Sequence, residues 1–285
     1  MSVIQKRTSR KSKRAISSAI KLQTHNPLII GHRGASAHAP ENTLAAFERA
    51  FAAGADGIEL DVRLARDGVP VVIHDATLRR TGLRAGTVSR LTSGQLTKID
   101  AGTWFSRTQP KLARSEYSEE RIPTLEQVFE FCRSRSGLIY VELKSEKDEV
   151  PNDLAFVVTA LIKRFQFQNR VVVVSFDLTA IAALKAFDGS IRTGALFGSS
   201  RVRGQIWRTD SILAAASECG ANELLLNRLL TRKRLLEKAG DRHLPVVVWT
   251  VDRPEWIQRA RAANVHALIT NNPARLLLNS ETFLN

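Results

Sequence analysis

Three short runs carry the residues best suited to chemistry: Gly31-His32-Arg33-Gly34, Glu59-Leu60-Asp61 and His74-Asp75. Two histidines beside two carboxylates are the raw material of a metal-assisted acid/base site. Glu59 and Asp61 lie two apart, so on a strand both side chains face one way. Glu142 and Lys144 repeat that spacing and would add a third carboxylate and a cation. Unpaired carboxylates are costly on an inner face, and a divalent cation removes that cost. The ligand set is all oxygen, which favours one Mg²⁺ or Ca²⁺ over Zn²⁺. A salt-bridged network of Glu and Lys at strand ends is the alternative without chemistry. Gly31 and Gly34 let the backbone turn sharply around His32. His32 and His74 could then flank a bound group, one as base and one as acid. Arg33 and Lys144 bring positive charge beside the metal, an arrangement suited to phosphate.

The elements that must position these groups follow from apolar periodicity. Strand-length runs are expected at Leu28–Gly31, Gly57–Val62, Leu138–Leu143, Val171–Ser175, Ile191–Phe197, Glu223–Leu226, Val246–Thr250 and Ala267–Thr270. Several are nearly continuous in Val, Ile and Leu, as parallel strands buried on both faces should be. Helical patterns separate them at Asn42–Ala53, Leu125–Arg135, Asn152–Phe165, Leu178–Phe187, Arg232–Ala239 and Glu255–Ala263, with a weaker one within residues 201–220. Alternating β and α elements imply a parallel sheet, and eight such strands a closed (β/α)₈ TIM barrel. The run Val69–His74 follows the second barrel strand too closely for a crossover helix. Asp67-Gly68 marks a hairpin turn between them. A two-residue loop there would set Asp61 opposite His74. Residues 76–121 then form a small insertion after the second barrel strand, with Trp104 and Phe105 as a lid or as the insertion's own core. Pro40 and Glu41 are expected in the first turn of a helix, where Glu41 could also orient His32 or Arg33. Trp249 is either a pocket wall or core packing.

The chain of 285 residues suits one barrel, residues 28–285, behind a tail, residues 1–27. That tail holds Lys6, Arg7, Arg10, Lys11, Lys13, Arg14 and Lys21 and no acid, half of the formal charge of +14. Like-charge blocks of this kind are usually solvated arms, and this one could touch an anionic membrane. Its Arg- and Ser-rich composition is also compatible with an organellar transit peptide. No apolar run reaches membrane-span length and no secretory h-region is visible, so a cytoplasmic location is expected. Cys132 and Cys219 form neither a metal-ligand spacing nor a disulfide framework.

Together these residues resemble the glycerophosphodiester phosphodiesterase family. The resemblance rests on Gly31-His32-Arg33-Gly34, Ala39-Pro40-Glu41-Asn42-Thr43, Glu59-Leu60-Asp61-Val62, Val71-Val72-Ile73-His74-Asp75 and Val141-Glu142-Leu143-Lys144. It runs from about Leu28 to Pro273. It implies a TIM barrel that hydrolyses glycerophosphodiesters to sn-glycerol 3-phosphate and an alcohol with a divalent metal. By resemblance, His32 and His74 are the acid/base pair, Glu59, Asp61 and Glu142 the metal ligands, and Arg33 and Lys144 the phosphate contacts. The resemblance also implies attack by the substrate's own glycerol hydroxyl, through a cyclic phosphate that water opens. One departure is visible: the family often has Thr-Asp-x-Pro where this chain has Thr270-Asn271-Asn272-Pro273, a position expected to be a structural turn. Two other readings compete. One is a lysophospholipase D-type enzyme acting on lipid at a membrane surface, which a large apolar patch beside the mouth would favour. The other is a basic protein binding nucleic acid or a membrane surface, with no recognition motif to support it.

Overall fold

A computed structural model describes residues 26–144, 151–198 and 208–282. Residues 1–25 of the basic tail and part of the helix expected within 201–220 therefore lie outside the described residues. Nine strands appear in chain order: β1 (Leu28–His32), β2 (Gly57–Leu64), β3 (Pro70–Val72), β4 (Leu138–Leu143), β5 (Val171–Ser175), β6 (Arg192–Phe197), β7 (Glu223–Asn227), β8 (Val246–Trp249) and β9 (Ala267–Thr270). All except β3 pair in parallel with both neighbours, and β1 pairs with both β2 and β9, which closes an eight-stranded barrel. The fold is the expected TIM barrel.

The helices are α1 (Leu44–Ala52), α2 (Ser93–Leu96), α3 (Thr103–Thr108), α4 (Leu125–Cys132), α5 (Pro151–Arg164), α6 (Leu178–Phe187), α7 (Thr209–Glu218), α8 (Lys233–Asp241), α9 (Glu255–Ala262) and α10 (Pro273–Thr282). None of the described helices is long and apolar enough to cross a membrane. Two expectations at helix starts need correction. Pro40 and Glu41 precede α1 rather than open it. Asn42 takes φ 59, which no helix tolerates, and Thr43 caps the helix by accepting from the Ala46 amide. Helix α10 was not anticipated, although Asn272 and Pro273 announce it: the Asn272 side chain accepts from the Arg275 amide and Pro273 opens the first turn.

The strands read as continuous apolar runs because both faces are buried. On β2, Ile58, Leu60 and Val62 point outward and pack against helical residues such as Phe47, Leu125 and Phe129. Ile30, Tyr140, Val172, Val174, Leu225, Val247 and Ile269 fill the interior. Below them, Glu223 accepts a 2.9 Å hydrogen bond from the Tyr140 hydroxyl and pairs with Arg192.

The hairpin exists, but its register differs by one from that expected. Val62 pairs with Val72 and Leu64 with Pro70, and the Ile73 amide donates to the Asp61 carbonyl. Asp61 therefore stands opposite Ile73, not His74. The loop has three residues, Arg66–Gly68, closed by the Ala65 amide donating to the Val69 carbonyl, with Gly68 at φ 75. Three-residue hairpins with a left-handed glycine follow this rule, and Asp67-Gly68 alone does not distinguish them from two-residue turns. Beyond β3, residues 76–121 carry α2, α3 and short 3₁₀ turns. Leu78, Val88, Leu96 and Ile99 pack there beneath Val71 and Ile73. Phe105 and Tyr117, with Trp104, pack instead on Ala39 and Ala46.

Candidate active site

Strand register explains how distant residues meet. His32 is paired with Glu59 across β1 and β2, and Asp61 with Glu142 across β2 and β4. His32 ends β1 and Glu142 stands next to last in β4, and through these pairings Glu59 and Asp61 of β2 meet them on the barrel face where sites of this class lie. Glu59, Asp61 and Glu142 each offer a carboxylate oxygen, and these atoms lie within 4.8 Å of one another, all in buried side chains. Lys144 Nζ stands 3.1 Å from Asp61 Oδ1 and 2.6 Å from Glu142 Oε1. Arg33 Nε approaches Asp61 Oδ2 to 3.0 Å, an ion-pair contact too bent for a hydrogen bond. The Arg33 amide donates to Glu59 Oε2 at 3.0 Å. Arg33 adopts φ 55, the left-handed conformation that a side chain enters only when its surroundings hold it there.

Three buried carboxylates face two cations, and the charges are unevenly settled. Burial pushes Glu59 well above its ordinary value, with Asp61 and Glu142 adding to the effect. Burial likewise raises Glu142 to about 7, opposed by Lys144. Burial alone would raise Asp61 too, yet Arg33 and Lys144 hold it below the usual carboxylate range. These three carboxylates could hold a hard divalent cation, since they offer oxygen only, are negatively charged and crowd one another. Asn42 fixes Asp61 from behind, donating from Nδ2 at 2.8 Å and accepting from its amide at 3.2 Å.

The two histidines have different partners. His32 Nδ1 lies 2.7 Å from Asn271 Oδ1. Asn271 Nδ2 donates to Asp252 Oδ2 at 2.9 Å, which turns the amide oxygen toward His32. Because that oxygen only accepts, His32 Nδ1 carries the proton and Nε2 keeps its lone pair. Burial, aided by Arg33, lowers His32 to about 4, so the ring is neutral. His74 Nδ1 instead lies 2.6 Å from the Asp75 carboxylate. Burial lowers His74 too, with Arg33 and Lys144 adding to the effect and Asp61 and Asp75 opposing it.

Of the seven residues expected as acid/base, metal or phosphate groups, six line one cavity of about 350 Å³, and Asp61 lies outside its lining. His32, Arg33, Glu59, His74, Glu142 and Lys144 form its polar side. Val174, Phe176, Leu196, Leu225, Trp249 and Ile269 form the other. Trp249 is thus a pocket wall, edge-on to Phe176 at 5.5 Å between ring centres. Trp104 and Phe105 belong to a small core and not to a lid. Sequence reasoning missed the supporting groups. Asn271, expected in a structural turn, holds His32. Glu41 does reach Arg33, at 2.8 Å. Asp75 adjoins a histidine, which was a usable signal; Asp252 and Arg80 gave none.

Residues 32–275 match the model of the "Glycerophosphoryl diester phosphodiesterase family". The glycerophosphodiester phosphodiesterase of Caldanaerobacter subterraneus subsp. tengcongensis is 36% identical over 250 residues, spanning 88% of this chain and 96% of that protein. A putative glycerophosphodiester phosphodiesterase of Bacillus subtilis is 34% identical over 250 residues, 86% of this chain and 94% of its own. Among solved structures, an Oleispira antarctica phosphodiesterase in complex with the product sn-glycerol-3-phosphate superposes with a TM-score of 0.78 at 23% identity, over 90% of this chain and 97% of that one. That likeness speaks for the fold. A putative glycerophosphoryl diester phosphodiesterase from Silicibacter pomeroyi superposes with a TM-score of 0.80 at 25% identity, over 90% and 94% of the two chains.

Proposed function

Since the chain belongs to the glycerophosphoryl diester phosphodiesterase family and is a phosphoric diester hydrolase, we propose that it cleaves glycerophosphodiesters to sn-glycerol 3-phosphate and an alcohol, using one divalent cation and two histidines. The observation that carries this reading is the convergence of three buried carboxylates, two cations and two differently partnered histidines on one cavity. Glu59, Asp61 and Glu142 would hold Mg²⁺ or Ca²⁺, which when bound neutralises charge on the phosphoryl oxygens. Arg33 and Lys144 face the same phosphate and stabilise the charge that grows on it.

The histidine partners argue for distinct roles. Neutral His32, with a free lone pair at Nε2, takes the proton from the glycerol hydroxyl next to the phosphate-bearing carbon. That oxygen attacks phosphorus and the bond to the leaving alcohol breaks. His74 supplies the proton the departing oxygen needs, since the Asp75 carboxylate favours its charged ring and an anionic diester between Arg33 and Lys144 favours it further. Water then opens the cyclic phosphate with the proton traffic reversed: His74 takes the water's proton and His32 returns its own to the glycerol oxygen.

A substrate panel tests this reading: glycerophosphocholine, glycerophosphoethanolamine and a lysophospholipid, each with chelator and with Mg²⁺ or Ca²⁺ restored. Metal-dependent release of sn-glycerol 3-phosphate from the first two is expected. Release unaffected by chelator would remove the metal from the reading. A marked preference for the lysophospholipid would move the assignment to the lipid-directed enzyme, which the exposed ring of Phe176 at the mouth, 47% accessible, would favour.

A further inference from the structure

We propose that Arg80, a residue of the segment that follows β3, is a positioning residue that locks the His74 loop to the loop carrying Arg33 by gripping Asp75 and Glu41 at once. Its guanidinium makes two forked contacts. Nε donates to Asp75 Oδ2 at 2.7 Å and NH2 to Asp75 Oδ1 at 3.1 Å. NH1 donates to Glu41 Oε2 at 2.7 Å and NH2 to Glu41 Oε1 at 2.8 Å. Each carboxylate passes the constraint inward: Asp75 Oδ1 holds His74 Nδ1, and Glu41 Oε1 holds Arg33 NH1. Arg80 touches neither the cavity nor the carboxylate triad, so its effect runs through these two acids.

Geometry makes the double contact effective. A planar fork meets a carboxylate in one orientation only, and two such meetings fix the relative placement of two loops. Asp75 and Glu41 lie 34 positions apart in sequence and on different barrel strands' loops. Arg80 is itself steadied, its guanidinium carbon lying 5.7 Å from the centre of the Trp104 ring, which belongs to the small core against Ala39 and Ala46. With Arg80 and His74 on its oxygens, Asp75 is held down to about 2, although burial opposes this, so the carboxylate stays ionised. An ionised Asp75 keeps the His74 ring turned with Nε2 toward the cavity.

The inference rests on His74 as the proton donor to the leaving alcohol, and the test separates the two. Arg80→Ala, Arg80→Lys and His74→Ala are compared on glycerophosphocholine, whose alcohol needs a proton, and on the p-nitrophenyl diester of glycerol phosphate, whose phenolate does not. Loss of a proton donor's alignment is expected to lower kcat on the choline diester on the order of 10-fold or more in both Arg80 variants and to lower it clearly less on the nitrophenyl diester, where only the loosened Glu41–Arg33 contact counts. Lysine keeps the charge but cannot fork, so retention of full choline-diester activity by Arg80→Lys would overturn the bidentate argument. A loss equal on both substrates, in variants whose thermal unfolding matches the parent, would overturn positioning through His74. If His74→Ala itself shows no leaving-group dependence, the acid role fails instead. A further arm adds Arg80→Ala to Asp75→Asn: less than about 2-fold extra loss is expected if Arg80 works through Asp75, and full additivity contradicts it.

Discussion

In the proposed reaction, partner chemistry assigns the two histidines their different roles. His32 meets an amide oxygen and His74 a carboxylate, so the two rings hold their protons differently although both are partly desolvated. Replacing either with Ala is expected to lower kcat by about 10²-fold or more, read as sn-glycerol 3-phosphate release at saturating substrate. The carboxylates make a separate prediction. Glu142 is raised from 4.5 to about 7 in the metal-free protein. A folded-state value above the unfolded one means a contribution to stability that is complete below 4.5 and lost as pH rises through about 7. Metal-free protein should therefore become less stable across that window, and added Mg²⁺ should restore more stability above it than below. A cation held by Glu59, Asp61 and Glu142 would also displace protons from Glu142 and Glu59. Calorimetric titration of Mg²⁺ in buffers of unlike ionisation enthalpy should show proton release near neutral pH; its absence would contradict these carboxylates as ligands.

Two glycines show what the elements require. Gly34 sits at φ 80, and a Cβ there would meet the Ala46 backbone at 2.5 Å. Gly68 sits at φ 75 with nothing within 4 Å of its would-be Cβ. Gly68→Ala carries only the conformational cost, about 1 kcal/mol. Gly34→Ala adds a backbone clash that must push α1 off the β1 loop, and roughly 2–4 kcal/mol is expected. Chemical denaturation of both variants reads the difference, and equal losses would argue against close approach of α1. The hairpin teaches a related point. Its three-residue loop sets a register in which Asp61 faces Ile73, so His74 reaches the cavity from just beyond the strand. A one-residue change in that loop would turn alternate side chains to the opposite face, which is why Gly68 matters more for register than for space.

At the scale of the whole molecule, the barrel interior is divided along its axis. The charged cluster occupies the C-terminal end, while Glu223, buried and paired with Arg192, accepts from Tyr140, which stands beside Glu59 in the strand register. Glu223→Ala strands the Tyr140 hydroxyl without its acceptor and is expected to cost about 3 kcal/mol. KM should stay unchanged because Glu223 does not line the cavity, and a shifted KM would show that the two ends are coupled. Much of this was legible in the sequence. Val-, Ile- and Leu-rich runs at barrel spacing reveal eight buried strands, since burial on both faces leaves no room for polar residues. Period two on a strand placed Glu59 with Asp61 and Glu142 with Lys144, because that period is a property of the extended backbone. Helix α10 was readable from Asn272-Pro273 but went unread. Other features are fixed only by the folded chain. The hairpin register depends on a turn type that one dipeptide does not specify. Asn271, Asp252 and Arg80 reach the site from chain positions far from His32 and Asp75 or by a fork that spans two loops. Local sequence thus determined which strands form and which way their side chains point; closure of the barrel alone decided which polar groups would lie within hydrogen-bond reach, because those contacts depend on distances between strand ends that no spacing along the chain records.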